Sequence, residues 1–480
     1  MASVFPELGI DSMMWFYILT LAIIPVIITQ KKNPAAALAW IMATFLLPFL
    51  GPTLYLIFGT ERIRNRGLEK LFSLKNVRER LHRLEADWAP THQRRKNADL
   101  HPDLERIIRI SQKFGLFDAI SDNAIELIVD IEKSYKMMCN AIEQAQHHIN
   151  ISFYIFEPDS IGRHFTDLLM KKARQGVQVN FLYDGIGSRR FDHQWMLKRE
   201  MRESGVKVVK FLPWRAFLKP WRLNLRNHRK ILVVDDRIGF TGSLNIGEKF
   251  KRLNWRETML QLQGPAVAQL QWIFCEDWYS ATDEILTYPD YFSSHPVQGK
   301  EIVQIVASGP DQRGDAVYKA FFMAISAAQK CIYLTTPYFI PDDPLNLALQ
   351  MATMRNVEVK LLVPKKSDHP LVMYAGRSYY DDLLKAGVEI HEFDGEFIHS
   401  KMLVVDNHLT IIGSANADIR SFRYNFEVNV HIYGEPFALQ AETIFEQDLS
   451  NSTRLTKDFL NRSAVIRFWE NVWRLWSPLL

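Results

Sequence analysis

One stretch of eighteen residues occurs twice in this chain, and this repeat constrains the fold more than any other feature. The stretch "HRKILVVDDRIGFTGSLN" occupies residues 228–245, and "HSKMLVVDNHLTIIGSAN" occupies residues 399–416. The shared His, Lys, Leu-Val-Val-Asp, Gly-Ser and final Asn keep a constant offset of 171 residues, since 399 − 228 and 416 − 245 are both 171. The chain must therefore contain two copies of one structural unit.

The segments that precede each copy alternate between strand-like and helix-like patterns. In the first half, "HINISFYIF", "VQVNFLYD" and "VKVVKFL" predict strands, and the helices between them end at Gly176 and Gly205. In the second half, "KCIYLTTPYFI", "VEVKLLVP" and "VEIHEFD" repeat this order. The series predicts an α/β fold with largely parallel strands. We expect two tandem domains, at 116–290 and 291–480, which pack about a pseudo-twofold axis and bring the two motifs to their interface.

The first sixty residues differ in kind from the rest. Residues 12–30 and 34–59 carry no charged side chain, and each segment is about long enough to cross a hydrocarbon core. A cleaved signal peptide fits poorly, because the first eleven residues contain Glu7 and Asp11 and no Lys or Arg. We predict an N-terminal two-helix transmembrane hairpin at 1–60.

A basic segment at 61–115 follows the hairpin. It predicts a helical linker, either solvated or held against anionic lipid headgroups. Four basic residues flank the end of the second span, against two lysines in the connecting loop, so the positive-inside rule favours cytoplasmic catalytic domains.

Composition excludes some classes of function. The net charge of +4 argues against a dedicated nucleic-acid binder. The three cysteines, Cys139, Cys275 and Cys331, are scattered without a CxxC or Cys/His cluster, which indicates neither a disulfide framework nor a zinc site. We expect no metal and no cofactor. The sequence does not indicate an oligomeric state.

The repeated residues suggest phosphodiester chemistry. The His and Lys of each copy occupy alternate positions of a strand, so both side chains project from the same face. One imidazole can attack phosphorus while a second protonates the leaving alkoxide, and ammonium and amide groups can stabilise the non-bridging oxygens. The predicted catalytic residues are therefore those of the two motifs: His228, Lys230, Asp235, His399, Lys401 and Asp406.

Further residues are expected to bind phosphate or to orient the imidazoles. Asn245, Asn416, Ser243 and Ser414 come from the two GSxN segments, and Glu257 and Glu427 follow the two motifs at nearly equal distances. We predict that the two glutamates orient the histidines. Asp235 and Asp406 end their strands, where a carboxylate often ties down a turn, so their role could instead be architectural.

Paired HxKxxxxD and GSxN motifs resemble those of the phospholipase D superfamily. The likeness extends to "NPAAALAWIMATFLLPFLGPTLYLIFG", "FYIFEPDSIG", "LYDGIGS", "TTPYFIPDD" and "IRSFRYNFEVNV", which are similar to bacterial cardiolipin synthases over nearly the whole chain. This resemblance implies a multi-pass protein of the bacterial inner membrane that acts on membrane lipids. It implies that two phosphatidylglycerols are joined into cardiolipin with release of glycerol through a covalent phosphatidyl-histidine. It assigns His228 as the nucleophile and His399 as the acid that then becomes the base.

Several alternatives stay open at this point. The motifs also fit a phospholipase D-type hydrolase, in which water replaces the lipid hydroxyl, or a transferase that uses phosphatidylethanolamine. A nuclease is disfavoured by the hairpin, and a non-catalytic scaffold would be expected to have lost a motif residue. The aromatic and basic segment at 214–222 suits either a lipid interface or a packed loop. The C-terminal segment with Phe468, Val472, Trp473 and Trp476 at helical spacing suits packing or membrane contact equally.

Overall fold

The computed structural model describes a subset of the 480 residues. The described ranges are 21–30, 34–47, 50–55, 102–115, 117–211, 225–286, 291–292, 298–310 and 315–477. The chain divides into two units, one made of residues 1–73 and 214–225 and the other of residues 74–213 and 226–480.

The described part of the first unit is helical. Residues 21–30, Pro34–Leu46 and Leu50–Leu54 form helices, and Ile23, Ile27 and Tyr55 are buried against one another. Across the described ranges, no helix combines the length and apolar character needed to cross a membrane. Much of the predicted hairpin, most of the basic linker and the segment 214–222 lie outside the described residues, so these three remain predictions.

The second unit is built on one large mixed sheet. Its strands belong to two sets, one from each half of the chain, and further short strands lie near the two motifs. The strands are β1 (Ile120–Ile128), β2 (His148–Phe153), β3 (Gln178–Asp184), β4 (Lys207–Phe211), β5 (Arg226–Asn227), β6 (Ile231–Val234), β7 (Ile238–Gly242), β8 (Trp255–Arg256), β9 (Met259–Gln263), β10 (Glu301–Ser308), β11 (Cys331–Thr335), β12 (Phe339–Ile340), β13 (Glu358–Pro364), β14 (Glu389–Phe393), β15 (Phe397–Ile398), β16 (Met402–Val405), β17 (Leu409–Gly413), β18 (Ala417–Asp418), β19 (Asn425–Tyr433) and β20 (Ser452–Arg454).

The order of the strands displays the repeat. The main path reads β20-β14-β13-β11-β16-β17-β19-β10-β1-β9-β7-β6-β2-β3-β4. At its middle, β10 and β1 pair in antiparallel fashion, and the two halves continue outward from this pair in the same relative order. An antiparallel central pair with equivalent strands on both sides is what a pseudo-twofold axis through that pair produces. The predicted α/β fold with two repeated domains is therefore confirmed.

The prediction of largely parallel strands is wrong. Parallel pairing in the main path is confined to β2-β3-β4 and to β11-β13-β14, where helices provide the crossovers. The remaining neighbours on that path are antiparallel. They include the two hairpins that the motif strands form, β6 with β7 and β16 with β17. In both hairpins the turn contains two residues with positive φ, Asp235 and Asp236 in one and Asp406 and Asn407 in the other. Such turns match the twist of paired antiparallel strands.

Helices cover the sheet and contribute to two extensive apolar cores, one in each half. The predicted helix ends near Gly176 and Gly205 are confirmed, since both glycines have the left-handed φ of about 91° and 99° that terminates a helix. The helices of the second unit are Pro102–Phe114, Ile131–Gln144, Ser160–Arg174, Arg189–Asp192, Trp195–Glu203, Glu248–Arg252, Ala266–Thr282, Ala316–Ala327, Asp343–Met354, Pro370–Arg377, Tyr380–Ala386, Ile419–Arg423, Glu435–Ser450 and Ala464–Arg474, with a 3₁₀ turn at Lys457–Asn461.

The C-terminal helix combines packing with exposure. Helix Ala464–Arg474 packs against helix Pro370–Arg377, and Trp473 contacts the apolar core of the second half. Phe468 and Trp469 of the same helix are exposed, as is Trp476 just beyond its end. The helix therefore meets the domain on one side and presents an aromatic surface on another.

Candidate active site

Each motif histidine is held by the opposite half of the chain. Strand β5, which precedes His228, pairs with β19 of the second half, and the backbone N–H of His228 donates to Phe426 O at 3.0 Å. In the same way β15 pairs with β8 of the first half, and the N–H of His399 donates to Arg256 O at 2.8 Å. These exchanges bring both imidazoles to one pocket of about 380 Å³.

The two predicted glutamates contact the histidines in a crossed arrangement. Nδ1 of His228 lies 3.0 Å from both carboxylate oxygens of Glu427, and Nδ1 of His399 lies 2.8 and 3.0 Å from those of Glu257. Each carboxylate thus comes from the half that does not supply the histidine. A carboxylate at Nδ1 fixes the proton there and leaves Nε2 as the atom available to a ligand.

Serine hydroxyls position the carboxylates. Ser243 Oγ donates to Glu257 at 2.5 Å, and Ser414 Oγ donates to Glu427 at 2.5 Å. Burial alone would raise the pKa of each glutamate, but the neighbouring histidine, lysine and serine outweigh burial and lower it. Both carboxylates are therefore anionic at neutral pH. The structure places the two serines behind the imidazoles, as supports of the glutamates.

Burial determines the protonation state of the histidines. It lowers the pKa of His228 to about 4, although Glu427 acts in the opposite direction, and it lowers the pKa of His399 as well. Both imidazoles are consequently neutral at pH 7 in the absence of a ligand, and a neutral Nε2 has the lone pair that a nucleophile needs.

The motif lysines lie beside the histidines. Lys230 Nζ donates to His228 O and Lys401 Nζ donates to His399 O, both at 2.6 Å. Burial lowers the pKa of Lys230 to about 8 and that of Lys401 to about 7. An incoming phosphodiester anion would favour the charged form of both ammonium groups, since an opposite charge within a few ångströms raises the pKa of a lysine.

The two motif asparagines line the pocket but differ in their bonding. Oδ1 of Asn245 accepts from the N–H of Ile155 at 3.1 Å, which directs its Nδ2 away from that bond. Nδ2 of Asn416 instead donates to Asp418 at 3.0 Å, and its Oδ1 is buried without a partner among the described residues. The repeated asparagines are therefore not chemically equivalent.

The structure does not bring Asp235 and Asp406 into the pocket. Strand β6 separates His228 from Asp235, whose carboxylate accepts the backbone N–H groups of residues 146–148 at 2.7–2.8 Å. Asp406 likewise accepts those of residues 329–331 at 2.6–3.1 Å. Each carboxylate fastens the start of a neighbouring strand at the far end from the histidine, so the assignment of these two residues to the catalytic group stays a prediction. The architectural alternative accounts for both.

Several pocket residues escaped the sequence prediction. Tyr154 lies edge-on to His228 with ring centroids 4.9 Å apart, whereas Trp255 and Phe397 lie 5.3 and 5.9 Å from His399. Tyr154 and Trp255 line the pocket, whereas Phe397 packs against His399 without being a lining residue. The pocket is also lined by Arg226, Tyr338, Asp368, His369, Asp418, Arg420 and Asn425. Arg226 and Phe397 stand two residues before their motif histidines, so alignment of the two repeats could have identified these two positions.

Comparison with known families agrees with this arrangement. Residues 138–278 and 321–449 match the family described as "Cardiolipin synthase, PLD-like domain", and residues 18–59 match a phospholipase D-nuclease N-terminal family. The chain is 37% identical over 477 residues to the major cardiolipin synthase of Bacillus subtilis, with 97% of this chain and 98% of the relative covered. It is 35% identical over 463 residues to cardiolipin synthase 2 of Bacillus cereus, with 95% and 89% covered.

A solved structure supports the fold. Phosphatidylserine synthase of Haemophilus influenzae superposes with a TM-score of 0.59 at 13% identity, over 78% of this chain and 100% of that one. The fold and the paired histidines are those of the phospholipase D-like class. Within that class the chain belongs to the cardiolipin synthase family.

Proposed function

We propose that this protein is a phosphatidyltransferase that joins two phosphatidylglycerols into cardiolipin and releases glycerol. The observation that carries the proposal is the single pocket lined by both imidazoles, each with a buried carboxylate at Nδ1. Two imidazoles with Nε2 available provide one nucleophile and one acid–base group, which is the requirement of a two-step transfer. The relatives named above are cardiolipin synthases.

In the first step, Nε2 of His228 attacks the phosphorus of one phosphatidylglycerol. The new N–P bond forms as the P–O bond to glycerol breaks, and His399 supplies the proton that the glycerol oxygen requires. Because His399 is neutral before substrate binds, the phosphodiester anion must raise its proton affinity. The family resemblance assigns His228 rather than His399 as the nucleophile.

In the second step, neutral His399 accepts the proton of the headgroup hydroxyl of a second phosphatidylglycerol. The hydroxyl oxygen attacks phosphorus, the N–P bond breaks, and cardiolipin leaves. Lys230 and Lys401, beside the two histidines, stabilise the negative charge on the non-bridging oxygens in both steps, and Asn245 offers an amide donor from the pocket lining. This mechanism uses neither metal nor cofactor.

We also propose the membrane arrangement and domain division of a bacterial inner-membrane enzyme. Residues 1–60 would anchor the chain as a multi-pass hairpin and 61–115 would link it to cytoplasmic domains at 116–290 and 291–480. The match of residues 18–59 to an N-terminal phospholipase D family supports the anchor. The exposed aromatic side chains at the C-terminal helix support additional contact with lipid.

The test is a lipid analysis by mass spectrometry. Purified full-length protein in detergent receives phosphatidylglycerol alone, with chelator and without added metal. Cardiolipin and glycerol should form together, His228→Ala should be inactive, and a phosphatidyl adduct should be found on the peptide that contains His228. Phosphatidic acid without cardiolipin would instead identify a hydrolase. Product formed only after phosphatidylethanolamine is added would identify the other transferase.

A further inference from the structure

The two sides of the pocket carry different chemistry although the chain repeats. At the offset of 171 residues, Arg226 corresponds to Phe397, and Arg420 corresponds to Lys249. Both arginines line the pocket, whereas the Lys249 ammonium lies 2.8 Å from the carboxylate of Glu157 and is not among the pocket residues. At these two pairs of equivalent positions, the pocket is therefore lined by a guanidinium in one copy only.

The two arginines approach each other across the boundary between the halves. Arg226 belongs to the first half and pairs through its backbone with Asn425 of β19, while Arg420 lies in helix Ile419–Arg423 of the second half. Burial lowers the pKa of the Arg420 guanidinium, and the positive charge of Arg226 lowers it further. A guanidinium nevertheless stays protonated in a protein, so two positive charges share this wall.

Both arginines line the same pocket as His228. Their charges lower the pKa of the Tyr154 hydroxyl against the larger effect of burial, and Tyr154 packs edge-on against His228. Carboxylates lie near the two arginines as well, since Asp184 interacts electrostatically with Arg226 and Asp418 does so with Arg420. Asp418 accepts from Ser421 N at 2.6 Å and from Asn416 Nδ2 at 3.0 Å, and Asp184 accepts three backbone N–H groups.

We propose that Arg226 and Arg420 form a second phosphate subsite, which holds the phosphodiester of the acceptor lipid while its headgroup hydroxyl attacks the phosphatidyl group on His228. The inference rests on the proposed function. Two guanidiniums offer planar, paired donors that match the two non-bridging oxygens of a phosphodiester.

The subsite gives the enzyme a reason to choose a lipid over water as acceptor. In the second step the attacking hydroxyl and the acceptor's own phosphate are joined by one glycerol unit, so a fixed phosphate positions the hydroxyl. Hydrolysis needs no second anion. Beside His399 the pocket is lined by the Trp255 ring, which suits an uncharged glycerol group.

The test compares two reactions of the same full-length enzyme in detergent. Exchange of labelled glycerol into phosphatidylglycerol uses one phospholipid at a time, whereas cardiolipin formation uses two. Arg226→Gln and Arg420→Gln should each reduce cardiolipin formation at subsaturating phosphatidylglycerol about tenfold or more, because a charged hydrogen bond is lost. Glycerol exchange should stay close to that of the wild type, and the share of phosphatidic acid should rise.

Lysine substitutions and a matched control complete the design. Arg226→Lys and Arg420→Lys keep the charge, so they should retain more cardiolipin formation than the glutamine variants, and they provide a second measurement if a glutamine variant unfolds. Lys249→Gln, at the repeat-equivalent position outside the pocket, should leave both reactions unchanged.

Two outcomes would overturn the subsite. Parallel loss of exchange and cardiolipin formation in folded variants would assign the arginines to the reacting phosphate, and unchanged cardiolipin formation would remove their role altogether. Failure of the proposed function would look different, because the wild-type protein itself would then make no cardiolipin from phosphatidylglycerol, and the subsite would fall with it.

Discussion

Replacement of Glu427 by Gln tests whether the carboxylate at Nδ1 of His228 contributes to catalysis. Glu427 is fully buried and contacts Nδ1 of His228, while Ser414 Oγ and Asn425 Nδ2 donate to it. The amide keeps the volume of the carboxylate but removes the negative charge that stabilises an imidazolium-like His228. We therefore expect a loss in kcat with little change in folding.

The magnitude follows from the geometry. Two unit charges about 4 Å apart interact by about 4 kcal/mol at an effective dielectric constant of about 20. If the transition state loses that stabilisation, kcat falls about 10³-fold, since each 1.36 kcal/mol is about tenfold. The same reasoning applies to Glu257→Gln through His399.

Asp235→Asn provides the control, because Asp235 belongs to the repeated motif whereas Glu427 does not. Its carboxylate accepts three backbone N–H groups outside the pocket, so an amide there should lower the free energy of unfolding by about 1–3 kcal/mol. Activity per folded molecule should be retained. Cardiolipin formation and denaturant unfolding are measured on both variants at one temperature. A folded but inactive Asp235→Asn, or a fully active Glu427→Gln, would refute the reasoning.

Two further predictions concern pH and lipid contact. Burial lowers the pKa of His228 to about 4 and that of His431 to about 3. As pH falls, the unfolded chain therefore binds a proton at each histidine before the folded chain does. The contribution of each neutral, buried imidazole to the free energy of unfolding is complete above about pH 6.5 and is lost as pH falls below that value. Each should cost about 2 kcal/mol between pH 7.5 and pH 5 in denaturant unfolding, and a flat profile would contradict the burial argument. Trp469→Gln with Trp476→Gln should change thermal stability little, because both side chains are exposed, but should reduce activity toward phosphatidylglycerol in vesicles more than toward short-chain phosphatidylglycerol in solution. Equal effects on both substrates would argue against membrane contact.

Much of the fold was predictable because it is local. Buried strands, the helix ends at Gly176 and Gly205, and the repeat itself all leave periodic signals within a few residues. The direction in which the strands pair could not be predicted, since a buried strand has the same apolar pattern whether its neighbour is parallel or antiparallel. The turn residues after the motif strands, Asp235-Asp236 and Asp406-Asn407, could have indicated antiparallel hairpins. All four adopt the positive φ that such turns require, and Asp and Asn tolerate it.

The site divides in a similar way. His228, Lys230 and their repeats could be recognised because a functional group that recurs at a fixed offset needs explanation. Which glutamate contacts which histidine depends on β5 crossing to β19 and β15 to β8, and two-residue strands leave no pattern in a sequence. Asn245 and Asn416 differ because Asn416 donates to Asp418, whereas the equivalent position in the first half is Gly247, which has no side chain to accept a hydrogen bond.

The crossed carboxylates explain why the unit occurs twice. Neither half can orient its own histidine, because Glu427 serves His228 and Glu257 serves His399. Two separate identical copies could satisfy that requirement, but symmetry would then force the two sides of the pocket to be the same. In one fused chain the equivalent positions can differ, as Arg226 and Phe397 do, and a transfer between two lipids needs unlike sides because one component departs as neutral glycerol while the other arrives with a phosphate.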